Sequence, residues 1–113
     1  MAFEKRVQVI GDTDTYSISP AIKKYTLRDL GFEVSKRGSF TFERSLDPSS
    51  PYKAAAKLKI VVNDDLTGFK MNTVNASGTG TMNIFTSTRT DEFVTQYHYV
   101  LAEMIDRGVF EKN

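Results

Sequence analysis

Apolar and polar residues alternate with a period of two over several short stretches of this chain and recur with helical spacing over one long stretch near its end. Phe3, Lys5, Val7 and Val9 interleave with Glu4, Arg6 and Gln8, which predicts a half-buried strand, and Gly11-Asp12-Thr13-Asp14 supplies turn chemistry after it. A short strand from Tyr16 to Ser19 can return, and Ser19-Pro20 ends it because proline has no backbone donor. Thr26-Leu27-Arg28-Asp29 can cap a single helical turn that stops at Gly31. Phe32 to Ser35 and Phe40 to Leu46 form a predicted hairpin around Lys36-Arg37-Gly38, where glycine can take the positive φ of a tight turn. After the proline-bounded segment Asp47-Pro48-Ser49-Ser50-Pro51, three stretches, Lys57 to Asn63, Phe69 to Val74 and Thr81 to Phe85, predict a meander. In its first strand Leu58, Ile60 and Val62 face the core, while Lys57 and Lys59 face water.

The strongest element is a helix near Asp91 to Arg107, in which Phe93, Val94, Tyr97, Val100, Leu101, Met104 and Ile105 recur every three or four residues. At ~100° per residue these side chains cover a stripe roughly 140° wide, suited to a helix lying on a sheet. Thr88 or Thr90 can cap its start, Asp91 and Glu92 meet the positive end of its dipole, Arg107 meets the negative end, and Gly108 can close it in the left-handed conformation. The expected fold class is α+β: two antiparallel β-sheets, built from hairpins and a meander, packed against a single C-terminal α-helix in one domain spanning residues 1–113.

Composition narrows the range of functions. The chain has 113 residues, 40% hydrophobic, with 15 Lys and Arg against 14 Asp and Glu. The resulting net charge of +1 provides no field to gather a phosphate backbone, so nucleic acid is not an expected partner. Without cysteine there is no disulfide, no thiolate nucleophile and no Cys-ligated metal. Charge at Met1-Ala2-Phe3-Glu4-Lys5-Arg6 stands where an export signal would be apolar, and no run reaches membrane-spanning length. A cytoplasmic protein without membrane partners is expected, and Asn75-Ala76-Ser77 is set aside as a chance glycosylation match.

Candidate chemistry centres on Arg44, because alternation through Phe40, Phe42, Arg44 and Leu46 sets a guanidinium on an apolar face, where a buried charge needs a partner. Asp47, Ser49, Ser50 and Tyr52 follow in a loop stiffened by Pro48 and Pro51, so hydroxyls and backbone N–H groups can converge beside the arginine to hold a carboxylate or phosphate. The plainer alternatives are an inward charge that discourages edge pairing, or a simple pair with Asp47. Tyr25 and Arg28 can line the same cavity if their segment crosses the sheet edge; otherwise Tyr25 packs in the core and Arg28 is solvated. His98, the one histidine, falls at the margin of the helical stripe, and Tyr99 on the polar face hints at a contact surface. With no second histidine and no cysteine, no metal or other cofactor is expected. Asp12 with Asp14, and Asp64 with Asp65, read as turn formers.

Three strings, Lys24-Tyr25-Thr26-Leu27-Arg28-Asp29-Leu30-Gly31-Phe32, Glu43-Arg44-Ser45-Leu46-Asp47-Pro48-Ser49-Ser50-Pro51-Tyr52 and Asp65-Leu66-Thr67-Gly68-Phe69-Lys70-Met71, resemble a domain-of-unknown-function family of short cytosolic proteins from Gram-positive bacteria. The resemblance covers essentially the whole chain. It implies two sheets packed on one helix, a remote likeness to prokaryotic S-adenosylmethionine decarboxylases, and a ligand-binding role near amino-acid metabolism. The decarboxylases cut themselves at a Glu-Ser bond, assisted by a His and a Cys; here Arg44 separates Glu43 from Ser45 and cysteine is absent, so pyruvoyl chemistry is disfavoured.

The sequence therefore points to a protein, without an evident catalytic set, that binds a small anionic or amino-acid-like metabolite through Arg44, Asp47, Ser49, Ser50 and Tyr52, with Tyr25 and Arg28 as further candidates. The alternative is a homo-oligomeric or adaptor module working through a sheet edge or the face bearing Tyr99.

Overall fold

The computed structural model describes residues 3–47, 56–75, 80–86 and 90–112. In chain order these hold β1 (Arg6–Val7), β2 (Tyr16–Ile18), α1 (Lys24–Asp29), β3 (Glu33–Val34), β4 (Phe40–Ser45), β5 (Ala56–Val62), β6 (Phe69–Asn75), α2 (Thr90–Asp106) and β7 (Phe110–Lys112). The strands make two antiparallel sheets, β1-β2-β7 and β3-β4-β5-β6. With α2 they form the α+β architecture expected from the hydrophobic pattern.

The larger sheet follows from the alternation in β5. Leu58, Ile60 and Val62 are fully buried and stand opposite Arg44, Phe42 and Phe40 on β4 and Thr73, Met71 and Phe69 on β6. Cross-strand partners share a face, so one row of residues from three strands turns inward. From α2, Phe93, Tyr97, Val100, Leu101 and Met104 enter the same core, whereas Ile105, at the edge of the stripe, is exposed. Phe69 stacks on Phe110 with ring centroids 4.5 Å apart, and Glu4 exchanges both backbone hydrogen bonds with Phe69, so the two sheets meet at one residue of β6.

The end of α2 is a Schellman motif: Val109 N–H donates to the Met104 carbonyl, Gly108 N–H donates to the Ile105 carbonyl, and Gly108 takes φ +76°. The reversal sends the chain into β7, a strand the hydrophobic pattern did not announce. Paired with all three residues of β2, it makes the smaller sheet.

Three other expectations are corrected. The first strand is only Arg6–Val7, because the Val9 carbonyl accepts Asp12 N–H at 3.0 Å and the chain turns there. Thr26 does not cap α1; it is buried inside the helix, which starts after Lys23 without a side-chain cap. The third meander segment contributes one bridge, Thr81 to Val74, after which Asn83 Oδ1 accepts Phe85 N–H and bends the backbone out of the ladder. Of the two threonines expected to cap α2, Thr90 is its first residue and Thr88 lies outside the described residues. Among the described residues no helix is long and apolar enough to cross a membrane.

Candidate functional site

Arg44 pairs with Leu58 and so has the inward register that alternation assigns it, yet it is exposed. Its cross-strand partner Leu58 is fully buried, so the long arginine side chain reaches water from an inward register, and a solvated guanidinium needs no partner inside the protein. Asp47 is buried, with its N–H on Ser45 Oγ at 3.1 Å. Ser49, Ser50 and Tyr52 lie outside the described residues. Tyr25 is not in the core: it is 62% exposed, with Lys23 Nζ 5.7 Å from its ring centroid.

Arg28 does reach a cavity, at the other end of β4. It joins Lys24, Val34, Gly38, Phe40 and Asp64 around a space of about 410 Å³. Arg44 is four positions along the strand from Phe40, about 13 Å at ~3.3 Å per residue, so the two arginines do not share this space. Lys24 and Arg28 are four apart on α1 and project from one helical face, while Thr26 and Leu27 anchor the opposite face in the core. Antiparallel pairing places the start of β4 beside the end of β5, which brings the turn at residues 35–39 against the turn at 63–68. Their contact is close: a Cβ on Gly38 would stand 3.3 Å from the Asp64 Cβ.

Both turns are internally bonded. Ser35 and Ser39 hydroxyls meet at 2.6 Å, and Gly38 N–H donates to the Ser35 carbonyl. Asn63 Oδ1 accepts the N–H groups of Thr67 and Gly68, each at 2.9 Å, and the Thr67 hydroxyl donates to Asp65 at 2.7 Å. The Thr67 hydroxyl and N–H hold the Asp65 carboxyl below its ordinary value of 3.8. Asp64, next to it, is therefore presented from a rigid turn. Among the described residues Lys24, Arg28 and Asp64 make no ion pair, so two cations and one anion surround an apolar floor of Phe40 and Val34 with their charges free for a ligand.

A second polar assembly lies against the smaller sheet. Asp12 is 7% exposed; its Oδ1 accepts Asp14 N–H at 3.0 Å and its Oδ2 accepts the Tyr97 hydroxyl at 2.6 Å. Burial, and then the hydrogen bond to Asp12, push the Tyr97 hydroxyl far above its ordinary 10.0, and burial with the charges of Asp12 and Asp14 pushes Tyr16 up to about 12. Both phenols are thus held neutral. His98 follows on α2, exposed, with its ring centroid 5.3 Å from that of Tyr97. Lys112 Nζ stands 3.4 Å from Asp14 Oδ2, and Tyr16, His98, Leu101, Ala102, Ile105 and Lys112 enclose a smaller cavity of about 210 Å³. Tyr99 is 64% exposed and lines neither cavity.

Residues 1–111 match DUF1831, a family described as "Putative amino acid metabolism". The chain belongs to the DUF1831 family. A crystal structure at 1.20 Å resolution of a DUF1831 family protein from Lactobacillus plantarum is similar over 100% of this chain and 99% of that one, with 52% sequence identity and a TM-score of 0.93. No curated protein matches. These similarities carry the family and the fold, and they do not extend to the decarboxylase likeness.

In this DUF1831 chain the residues missed at the level of sequence are Lys24, Asp64, Asp12 and Tyr97. The spacing of Lys24 and Arg28 was the available signal for the first cavity. For the second there was none, since Asp12 and Tyr97 are 85 residues apart.

Proposed function

We propose that this DUF1831 protein is a cytoplasmic binder of an amino-acid-like metabolite, and that the ligand sits in the cavity between α1 and the two turns. The carrying observation is the convergence of Lys24, Arg28 and Asp64 on the Phe40 and Val34 floor. An α-carboxylate suits the Arg28 fork, with Lys24 adding a point charge. An α-ammonium suits Asp64, and an apolar or short polar side chain rests on Phe40. Because the turns are held by their own hydrogen bonds, little ordering opposes binding. The family description, amino acid metabolism, agrees with a ligand of this chemistry. Arg44 and Asp47 take no part in this reading.

Calorimetric titration with a panel of free amino acids and dicarboxylates tests it. Saturable binding of at least one zwitterion is expected, weakened about tenfold, or ~1.4 kcal/mol, in Arg28→Ala and in Asp64→Asn. Absence of heat across the panel, or full affinity in both variants, would overturn it.

A further inference from the structure

The turn at residues 9–14 and the middle of α2 bring together three side chains that can ligate a metal, two carboxylates and an imidazole. Asp12 and Asp14 each offer a carboxylate oxygen and His98 a ring nitrogen, and these three atoms lie within 4.8 Å of one another. A cation at the centre of such a triangle stands within about 2.8 Å of every donor, against ~2.0–2.2 Å for zinc bonded to nitrogen or oxygen. Rotation of Asp14 and His98, both at the surface side of the cluster, closes that gap while Asp12 stays in place. The Tyr97 hydroxyl and Asp14 N–H fix the two Asp12 oxygens in orientation and leave each a further lone pair, the outer hydrogen bonding that positions a ligating carboxylate.

Two further features adjoin the group. The cavity of about 210 Å³ is lined by His98, Tyr16 and Lys112, so the histidine donor of the group borders space wide enough for water or a small oxygen ligand. Lys112 Nζ, 3.4 Å from Asp14 Oδ2, already pairs one positive charge with Asp14, a charge that a bound cation would replace. One imidazole with two carboxylates suits a borderline divalent ion such as zinc better than magnesium or calcium, which prefer oxygen alone.

We propose that Asp12, Asp14 and His98 bind a divalent transition-metal ion, which displaces the Lys112 ammonium from Asp14. This departs from the expectation of no metal, which rested on the count of histidines and cysteines and could not see Asp12 beneath Tyr97. It stands apart from the amino-acid cavity, with which it shares no lining residue.

The test is calorimetric titration of the chelator-treated, untagged chain with zinc chloride, with manganese, magnesium and calcium chlorides as parallel arms. One zinc ion per chain is expected, with affinity lowered at least tenfold by His98→Ala and by Asp14→Asn, and raised by Lys112→Met. His98 and Lys112 are exposed, so their variants should keep the far-ultraviolet circular dichroism of the parent. No saturable zinc or manganese binding below millimolar concentration, or affinity unchanged in both His98→Ala and Asp14→Asn, would overturn the site. Unchanged or weaker binding by Lys112→Met would overturn the exchange with Lys112.

Discussion

The Tyr97 hydroxyl donates to Asp12 Oδ2 across 2.6 Å in the protein interior, tying the middle of α2 to a turn at the other end of the chain. A hydrogen bond to a charged group contributes about 1.5–3 kcal/mol, and removing its donor leaves a buried carboxylate undersatisfied. Tyr97→Phe, which keeps the ring, is therefore expected to lose stability in that range in urea unfolding followed by circular dichroism. A midpoint equal to that of the parent would show that the bond contributes nothing.

The same pair sets an alkaline limit. Tyr16 is pushed up to about 12 and Tyr97 is raised further, from an ordinary 10.0. A group whose folded pKa is raised stabilises the native state fully below its unfolded pKa, and that contribution is lost as pH rises through the folded value. Unfolding midpoints are expected to hold to about pH 10 and fall above it, less steeply in Tyr97→Phe. Equal slopes in parent and variant would assign the alkaline loss to other groups.

The helix can be probed by contrast along one turn. Leu101 is 1% exposed and Tyr99 64%. An unpaired buried carboxylate costs several kcal/mol, comparable with the whole stability of a small domain, so Leu101→Asp should be unfolded by circular dichroism while Tyr99→Asp stays folded. A cooperative, folded Leu101→Asp would refute the packing of α2.

What could be read before the structure was the local part of the fold. The α2 stripe, the hairpin at Gly38, the inward row Leu58, Ile60 and Val62, and the closure at Gly108 each depend on neighbours a few residues away. Strand β7 did not show, because three residues display no period and its partner β2 lies at the other end of the chain. Arg44 stands out in the sequence because it breaks an alternating pattern. The break proves inexpensive, since the guanidinium is exposed to water. Lys24, Arg28 and Asp64 are ordinary surface charges taken one by one, and only the pairing of β4 with β5 gathers them.

Gly38 tests that gathering. At φ +88° any L side chain is strained by ~1–2 kcal/mol, and a Cβ there would press on Asp64. Gly38→Ala is expected to lower the melting midpoint and to weaken amino-acid binding together. A loss of stability with affinity untouched would separate Asp64 from the ligand.

The most direct measurement is a nitrogen-15 heteronuclear correlation spectrum of the full chain, titrated with the tightest-binding amino acid of the panel. The account predicts saturable amide shifts centred on Lys24, Arg28, Gly38 and Asp64, with little change at Arg44 and Asp47. Shifts centred on Arg44 and Asp47, or no saturable shift with any amino acid, would contradict it.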